Sequence, residues 1–323
     1  MNDVYKDVEK EFGSIPHTHS ARDPLIDLEY ADDTLLLGRS TKLINTMLHS
    51  IETHSETFGM QLNLDKTLLV TMNKPEVEHT TISFKDGSPV KRTNTATYLG
   101  ILCNQTASQL PNLNSRLGKA SNTFNKLQLF WKHTNIPQKM KLRFFRQIFN
   151  PMILYGLEYS CMTPTMERKL DAWQAGHLRR VLNIKVSMIS HITNTDVLKQ
   201  ANTVPLSNTL FSNQLKYMGH VLRTDHNETE YSCCFTSAGN FAHISACKRV
   251  GRPKHHWAPN TLQKIIDNKA TLFPTQPPAC PSSTFLLRPF RDLAKDKSQW
   301  KAITAAPTRL PTSNDLTQRV TTT

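Results

Sequence analysis

The sequence predicts an α+β protein with antiparallel hairpins and helices first, a mainly α-helical part next and a low-order basic tail at the end. Up to about residue 105, short apolar runs alternate with polar residues at the two-residue period of half-buried strands. From Leu110 onward, apolar residues recur every three or four positions, as on an amphipathic helix. Beyond Thr236 the chain is rich in Pro, Ser and Thr and poor in large apolar residues, which favours a flexible tail.

The composition argues against a membrane or secreted protein. The 323-residue chain is 38% hydrophobic, its mean hydropathy is −0.44, and its longest apolar runs are too short to cross a bilayer. The first residues are acidic and polar, unlike a signal peptide. Six cysteines without a regular spacing are typical of a reducing compartment. We therefore expect an intracellular protein, nuclear or cytoplasmic, without a membrane-spanning segment.

The first elements are two helices around an acidic hairpin. Val4, Val8 and Phe12 share one face of a short helix over residues 1–12. After the hairpin, Ser40 is a good N-cap for a second helix, and Gly59 is a good C-terminal stop. The apolar residues of this second helix lie at helical spacing, so we assign them to the core.

The acidic hairpin lies at residues 30–33, Tyr-Ala-Asp-Asp. Ile26, Leu28 and Tyr30 alternate with acids, which predicts a strand, and residues 34–37 return along it. The tip, Ala31-Asp32-Asp33, then carries two adjacent carboxylates that repel each other unless a cation lies between them. Mg²⁺ is the natural candidate. Asp is also common in ordinary turns, so the pair alone leaves the plain turn open.

Short strands follow at residues 67–71, 81–84 and 96–102, and helices follow at 112–131, from Pro137 to Pro151, and at 165–182. The segment 186–235 has a weaker helical pattern. This predicts four regions: 1–105 with strands and helices, 106–185 helical, 186–235 a helical extension, and 236–323 a flexible basic tail.

The charge is distributed unevenly along the chain. Residues 1–60 carry eleven acids against five bases, although the whole chain has a net charge of +13. Between residues 110 and 184 there are twelve bases and three acids, and many of the bases lie off the apolar stripe. The tail adds a basic cluster at 248–254. A surface of one charge sign favours contact with phosphates, so nucleic acid is the leading partner.

Taken in order, the motifs resemble those of the reverse transcriptases of non-LTR (LINE-type) retrotransposons, over about residues 25–255. The motifs are Tyr30-Ala-Asp-Asp33 followed by Thr-Leu-Leu-Leu, Gly59-Met-Gln-Leu-Asn63 with Lys66-Thr67, Tyr98-Leu-Gly100, Leu154-Tyr-Gly156, Trp173-Gln174 with Arg179-Arg-Val-Leu182, Tyr217-Met-Gly-His220, and Gly251-Arg-Pro-Lys254. Each motif alone is weak, but their order and spacing are specific.

The resemblance implies a partial polymerase palm over 1–105, a thumb over 106–185 with an extension over 186–235, and RNA-directed DNA polymerase chemistry. That chemistry is nucleotidyl transfer between two Mg²⁺ ions, with an RNA template and a DNA primer as partners. It implies metal binding by Asp32 with support from Asp33, and a place for Lys66 near the triphosphate. Tyr98, Leu99 and Gly100 would hold the primer end. The duplex backbone would be followed by Arg116, Lys119, Lys126, Lys141, Arg143 and Arg146.

The chain also departs from the family pattern. The family needs a further metal-binding aspartate on a separate upstream strand, and fingers with a Ser-Pro motif, whereas 29 residues precede Tyr30 here. We therefore expect a fragment of a transposable-element polymerase that is inactive alone. The alternative is a non-catalytic nucleic-acid-binding protein that uses the basic helices. A third possibility is a palm that is too incomplete to fold stably.

Overall fold

A computed structural model of the chain describes residues 2–12, 26–72, 81–133, 135–237, 239–242, 256–269 and 287–304. The basic cluster at 248–254 lies outside these residues, as does most of the predicted tail. The elements, in chain order, are α1 (Asn2–Phe12), β1 (Asp27–Tyr30), β2 (Asp33–Leu36), α2 (Thr41–Thr57), β3 (Leu68–Leu69), β4 (Lys91–Arg92), β5 (Thr95–Tyr98), β6 (Ile101–Asn104), α3 (Leu110–Lys126), α4 (Gln128–Lys132), α5 (Gln138–Leu154), α6 (Pro164–Val181), α7 (Ser187–Ser190), α8 (Asn194–Gln200), α9 (Leu206–Arg223), α10 (Thr229–Cys234), α11 (Trp257–Lys269), α12 (Arg288–Lys295) and α13 (Lys297–Thr304).

The protein combines helices with small two-stranded sheets, as the α+β prediction requires. The chain divides into a first unit, residues 1–112 with 225–238, and a second unit, residues 113–224 with 239–323. In the described part of the first unit, β1 pairs with β2 and β5 with β6 in antiparallel fashion, and β3 pairs with β4 in parallel. The second unit is helical in its described residues.

Local signals in the sequence determine the ends of α1 and α2. Val4 and Val8 of α1 are buried, and α1 packs on α2 in one core with Met47. Ser40 caps α2 as predicted, because its Oγ accepts the backbone N–H of Leu43 at 3.2 Å. Gly59 follows the helix with a φ of +70°, which glycine adopts without strain. The expectation for both helices is confirmed.

The strands between residues 67 and 92 are shorter than the sequence predicts. The predicted strand 67–71 is reduced to the two residues of β3, and 81–84 forms a single bridge between Ser83 and Pro89. Ile82 and Phe84 are nevertheless buried against Leu48 of α2. Burial of these alternate side chains, rather than a long ladder, therefore accounts for the apolar pattern.

The core of the second unit is an aromatic cluster of α3 to α6. Phe124 stacks on Trp131 with ring centroids 4.9 Å apart, and the indole N–H of Trp131 donates to the carbonyl of Phe124 at 3.0 Å. The chain reverses enough for Trp131 to contact Phe124 only because the helix is interrupted at Leu127. The predicted helix 112–131 is therefore two helices. Pro151 does not end α5, which continues to Leu154, because a proline in the last turn removes only one helical hydrogen bond.

Helices α11, α12 and α13 correct the prediction of a flexible tail for the residues they contain. They pack on α9, where Leu262, Phe290 and Trp300 are buried. The indole N–H of Trp300 donates to the carbonyl of Leu215 at 2.9 Å. These apolar residues are too few to form a core alone, but they pack against α9 and extend the core to which α9 already contributes.

His177 lies half-buried beside the aromatic cluster. Its ring stacks on Trp173 with centroids 4.0 Å apart, and Nδ1 lies 2.8 Å from the Trp173 carbonyl oxygen. Because a carbonyl only accepts, Nδ1 carries the proton. Burial lowers the pKa of His177 below its ordinary value. Its contribution to stability is therefore present in full above the unfolded pKa, about 6.5, and is lost as the pH falls through the folded pKa.

We expect the melting temperature to fall with pH below about 6.5, and the fall to be smaller in His177→Gln. Thermal melts across this pH range, with NMR titration of the His177 ring, measure the effect. His133→Gln, at an exposed histidine of the same unit, is the control for the substitution itself. Equal slopes in the parent chain and His177→Gln would contradict the assignment.

Candidate functional site

The acidic hairpin forms as predicted, with its turn one residue shorter. Tyr30 pairs with Asp33, so Ala31 and Asp32 alone make the turn and Asp33 begins β2. Asp32 and Asp33 are both exposed at this tip. Ala31 has a φ of +54°, in the left-handed region. The sequence therefore places two adjacent carboxylates on a tight turn, open to solvent.

The face of this hairpin is more open than the alternating pattern predicts. Ile26 is fully buried, but Leu28 is 41% exposed and Tyr30 is 64% exposed. The prediction of a half-buried face is therefore confirmed only at Ile26. In the described residues β1 has only β2 as a strand neighbour, so no further strand covers Leu28 and Tyr30.

Residues 95–104 form a second hairpin rather than the single predicted strand over 96–102. Strand β5 ends at Tyr98, β6 begins at Ile101, and Leu99 and Gly100 form the turn with φ values of +47° and +74°. Two positive φ values match the primed turns that suit the twist of a hairpin. Glycine accepts this conformation freely, whereas a leucine there is strained. Strain of this kind is retained most often where the surrounding structure serves a function.

A hydrogen bond joins the two hairpins. The Tyr98 hydroxyl donates to the backbone carbonyl of Leu28 at 3.0 Å, across 70 positions of sequence. Burial and the nearby carboxylates, Asp33 first among them, raise the pKa of Tyr98. The acidic hairpin and the hairpin with Leu99 and Gly100 belong to separate two-stranded sheets of the first unit, and this side-chain hydrogen bond connects them.

Helix α1 also anchors the acidic hairpin, a contact that the sequence did not predict. The Tyr5 hydroxyl donates to the carboxylate of Asp27, the first residue of β1. Burial, this hydrogen bond and the surrounding negative charge raise the pKa of Tyr5 to about 12. Asp7 of α1 in turn accepts from the Ser50 hydroxyl of α2. Tyr5 and Asp27 are 22 positions apart without a recognisable motif, so no local signal marks the contact.

No protein-family model, curated protein or solved structure matches this chain. The geometry of the chain's own residues must therefore support any assignment. Across the described ranges, no group of three or more His, Cys, Asp or Glu side chains is arranged to hold a metal ion. In the same part of the chain, no helix has the length and apolar character needed to cross a membrane.

Lys66 lies on a loop that Asn63 organises. The Asn63 side-chain oxygen accepts the backbone N–H of Lys66 at 3.0 Å, and its carbonyl accepts from Thr67. Asn63 therefore holds this loop in shape. The Lys66 side chain is exposed, and in the described contacts it does not reach Asp32 or Asp33. A role near a triphosphate stays a prediction.

The predicted phosphate-contacting bases divide into two groups. Lys119, Lys126 and Arg143 are exposed on the second unit, as a phosphate-contacting surface requires. Lys141 is not: it is 9% exposed, and its ammonium group donates to the carbonyl of Trp131 at 2.7 Å. The prediction for Lys141 is corrected, because its long side chain satisfies the carbonyl at the end of α4 instead of facing solvent.

Two arginines of the predicted set also have structural contacts. Arg116 lies over the ring of Tyr155 at 4.9 Å and is half-buried, and burial lowers its pKa. Arg146 donates to the carbonyl of Asn202 at 3.0 Å and stays partly exposed. Both arginines join elements of the second unit. Charge counting cannot separate such bases from those that face solvent.

Proposed function

We propose that this chain is part of an RNA-directed DNA polymerase of the non-LTR retrotransposon kind. In this proposal residues 1–105 contribute part of the palm, 106–185 the thumb and 186–235 its extension. Asp32 and Asp33 are metal-binding residues of the polymerase centre. Tyr98, Leu99 and Gly100 form the tip that supports the primer end.

The hydrogen bond from Tyr98 to the Leu28 carbonyl is the observation that carries the proposal. The order of motifs along the chain predicts a metal-binding hairpin and a primer-supporting hairpin, which must be adjacent for the primer end to reach the metal. Tyr98 and Leu28 are 70 positions apart, so no local pattern in the sequence brings the two hairpins into contact. Their adjacency in the first unit supports the functional interpretation over a pair of ordinary turns.

The two aspartates fit a magnesium site in part. Mg²⁺ in such enzymes is held by one or two carboxylates, by water and by substrate phosphates. When bound, the metal ions stabilise the charge that develops in phosphoryl transfer. Asp32 and Asp33 supply two exposed carboxylates, and the described residues bring no third ligand to the tip. We therefore propose that this chain alone does not extend a primer.

Primer extension with the purified chain, Mg²⁺, deoxynucleotides and an RNA template with a DNA primer tests the claim of inactivity. We expect no extension. Asp32→Ala should then change nothing in the assay, and Asp65→Ala, at another exposed carboxylate of the first unit, is the matched control. Extension that Asp32→Ala abolishes and Asp65→Ala preserves would overturn the claim of inactivity and support the metal-binding role.

A non-catalytic nucleic-acid-binding function is the second candidate. The observation that favours it is the exposure of Lys119, Lys126 and Arg143 on one helical unit. Duplex binding should then weaken steeply with salt, because each phosphate contact releases counterions. Replacing all three bases by Gln should reduce the salt slope by about one per lost contact, and Asp32→Ala should leave it unchanged. Absence of binding at low salt would remove this candidate.

A further inference from the structure

The loop after α6 holds three apolar side chains out in water. Val186 is 60% exposed, Met188 is 88% exposed and Ile189 is 62% exposed. We call residues 185–191, which include the one-turn helix α7, the apolar loop. Single exposed apolar side chains are ordinary, but three exposed within four positions are a local concentration of apolar surface.

A buried arginine fixes the shape of this loop. Arg179 of α6 is 7% exposed, and its guanidinium donates to the carbonyls of Lys185 at 3.4 Å and Ile192 at 2.7 Å. It also donates to the Asn194 side chain at 3.0 Å. In the described residues no carboxylate pairs with it, so the loop's own oxygens satisfy the buried charge. Burying a charge is costly, and here it holds both ends of the loop together.

Short-range hydrogen bonds close the loop further. The Ser190 hydroxyl donates to the carbonyl of Lys185 at 3.1 Å, and His191 turns the chain with a φ of +53°. Thr193 then caps α8 by accepting the backbone N–H of Asp196 at 3.2 Å. The loop is therefore organised before any partner binds, and its apolar side chains do not lose much backbone freedom on contact.

Basic residues flank the apolar loop. Lys185 belongs to the loop itself, and Arg180 lies five positions before it. Arg180 donates twice to the side chain of Asn125 at 3.1 Å, which brings the end of α3 beside the end of α6. Lys126 follows Asn125 and is exposed. The nearest acid in sequence, Asp196, already accepts from Thr193 and pairs with Lys199.

We propose that the apolar loop is a contact site for a nucleic-acid duplex, with Met188 and its neighbours entering the minor groove against the base steps. Proteins that bend duplexes insert apolar wedges in this way while bases contact the phosphates. A second protein copy fits less well, since a stable interface needs about 800 Å² per partner and this surface is three side chains. The proposal rests on the nucleic-acid affinity proposed above, and not on the metal-binding hairpin.

A triple variant, Val186→Ser with Met188→Ser and Ile189→Ser, tests the proposal by duplex binding over about 50 to 200 mM salt. We expect affinity to fall about tenfold at every salt concentration, since a lost apolar contact of this size corresponds to one decade. The salt slope should not change, because no charge is removed. Because all three positions are exposed, the triple variant should fold like the parent chain, and a thermal melt checks this.

Two further variants separate the apolar contribution from the charge. Phe58→Ser removes an apolar side chain that is 78% exposed in the first unit, two positions after Glu56, and should bind like the parent chain. Lys185→Gln should reduce the salt slope by about one. In a duplex that contains 2-aminopurine, the fluorescence of this base should increase when the apolar side chains unstack it. The triple variant should not produce this increase.

The outcomes distinguish the two proposals. If the triple variant binds the duplex and increases the 2-aminopurine fluorescence like the parent chain, the proposed minor-groove contact of the apolar loop is overturned. The proposed nucleic-acid affinity is then left intact. Absence of duplex binding by the parent chain overturns both. Loop-dependent binding to vesicles of phosphatidylserine and phosphatidylcholine, without an effect on the duplex, overturns the wedge in favour of a membrane surface. Loop-dependent self-association in sedimentation overturns it in favour of a second copy.

Discussion

Replacing Phe149 by Ala should lower the free energy of unfolding of the second unit by about 3–5 kcal/mol. Phe149 is fully buried, and its ring centroid lies 5.1 Å from that of Phe145 and 5.9 Å from that of Trp173. The aromatic rings contact each other from four helices, α3 to α6, so the neighbours cannot collapse into the space without moving a whole helix. The expected loss includes both the transfer energy of the ring and the cavity it leaves.

Urea unfolding, followed by circular dichroism, measures this loss. Phe144→Ala is the matched control, because Phe144 precedes Phe145 in α5 but is 42% exposed. It should cost clearly less than Phe149→Ala. Equal costs at the two positions would mean that the aromatic cluster is not the core of this unit.

Gly219→Ala should release α13 from α9 and lower stability by about 3 kcal/mol. A Cβ atom at Gly219 would lie 2.7 Å from Cε2 of the Trp300 ring, which is 3% exposed. Trp300 also donates to the Leu215 carbonyl, so its ring cannot move aside and keep that bond. The added methyl group therefore displaces the whole tryptophan.

Tryptophan fluorescence and limited trypsin digestion at Lys297 and Lys301 report the release of α13. Gly176→Ala is the matched control, since a Cβ atom there meets no heavy atom within 4 Å in the middle of α6. It should be neutral or stabilising by up to about 1 kcal/mol. If Gly219→Ala leaves Trp300 protected, α13 does not pack on α9 at this glycine.

Local signals in the sequence predicted the elements whose ends depend on local contacts. Ser40, Gly59 and the acidic turn at Ala31 were correct, because caps and turns are decided within a few residues. The alternating pattern predicted one strand over 96–102, since a leucine with positive φ is not a turn signal, and only the resemblance of residues 98–100 to the family's primer-supporting motif implied a hairpin there. Its partner strand and the contact from Tyr98 to Leu28 were beyond any local pattern.

Charge and composition were weaker guides than spacing. Lys141 was assigned to a phosphate-contacting surface, whereas a long side chain can turn inward to reach a carbonyl such as that of Trp131. The tail was expected to lack packing, yet Trp300 lies on α9 because an existing core needs only a few apolar residues to extend it. Arg179 was part of a motif, but its role in fixing the apolar loop depends on carbonyls six to thirteen positions later.

Photocrosslinking from the primer end tests the central claim most directly. A DNA primer with a photoreactive thiopyrimidine at its 3′ end, annealed to an RNA template, is bound to the chain, irradiated and mapped by mass spectrometry. The proposed function predicts crosslinks in the two hairpins, to residues 27–36 or 95–104, and their loss when Tyr98→Ala removes the hydrogen bond to Leu28. Crosslinks confined to the basic helices of the second unit, with none in either hairpin, would contradict it.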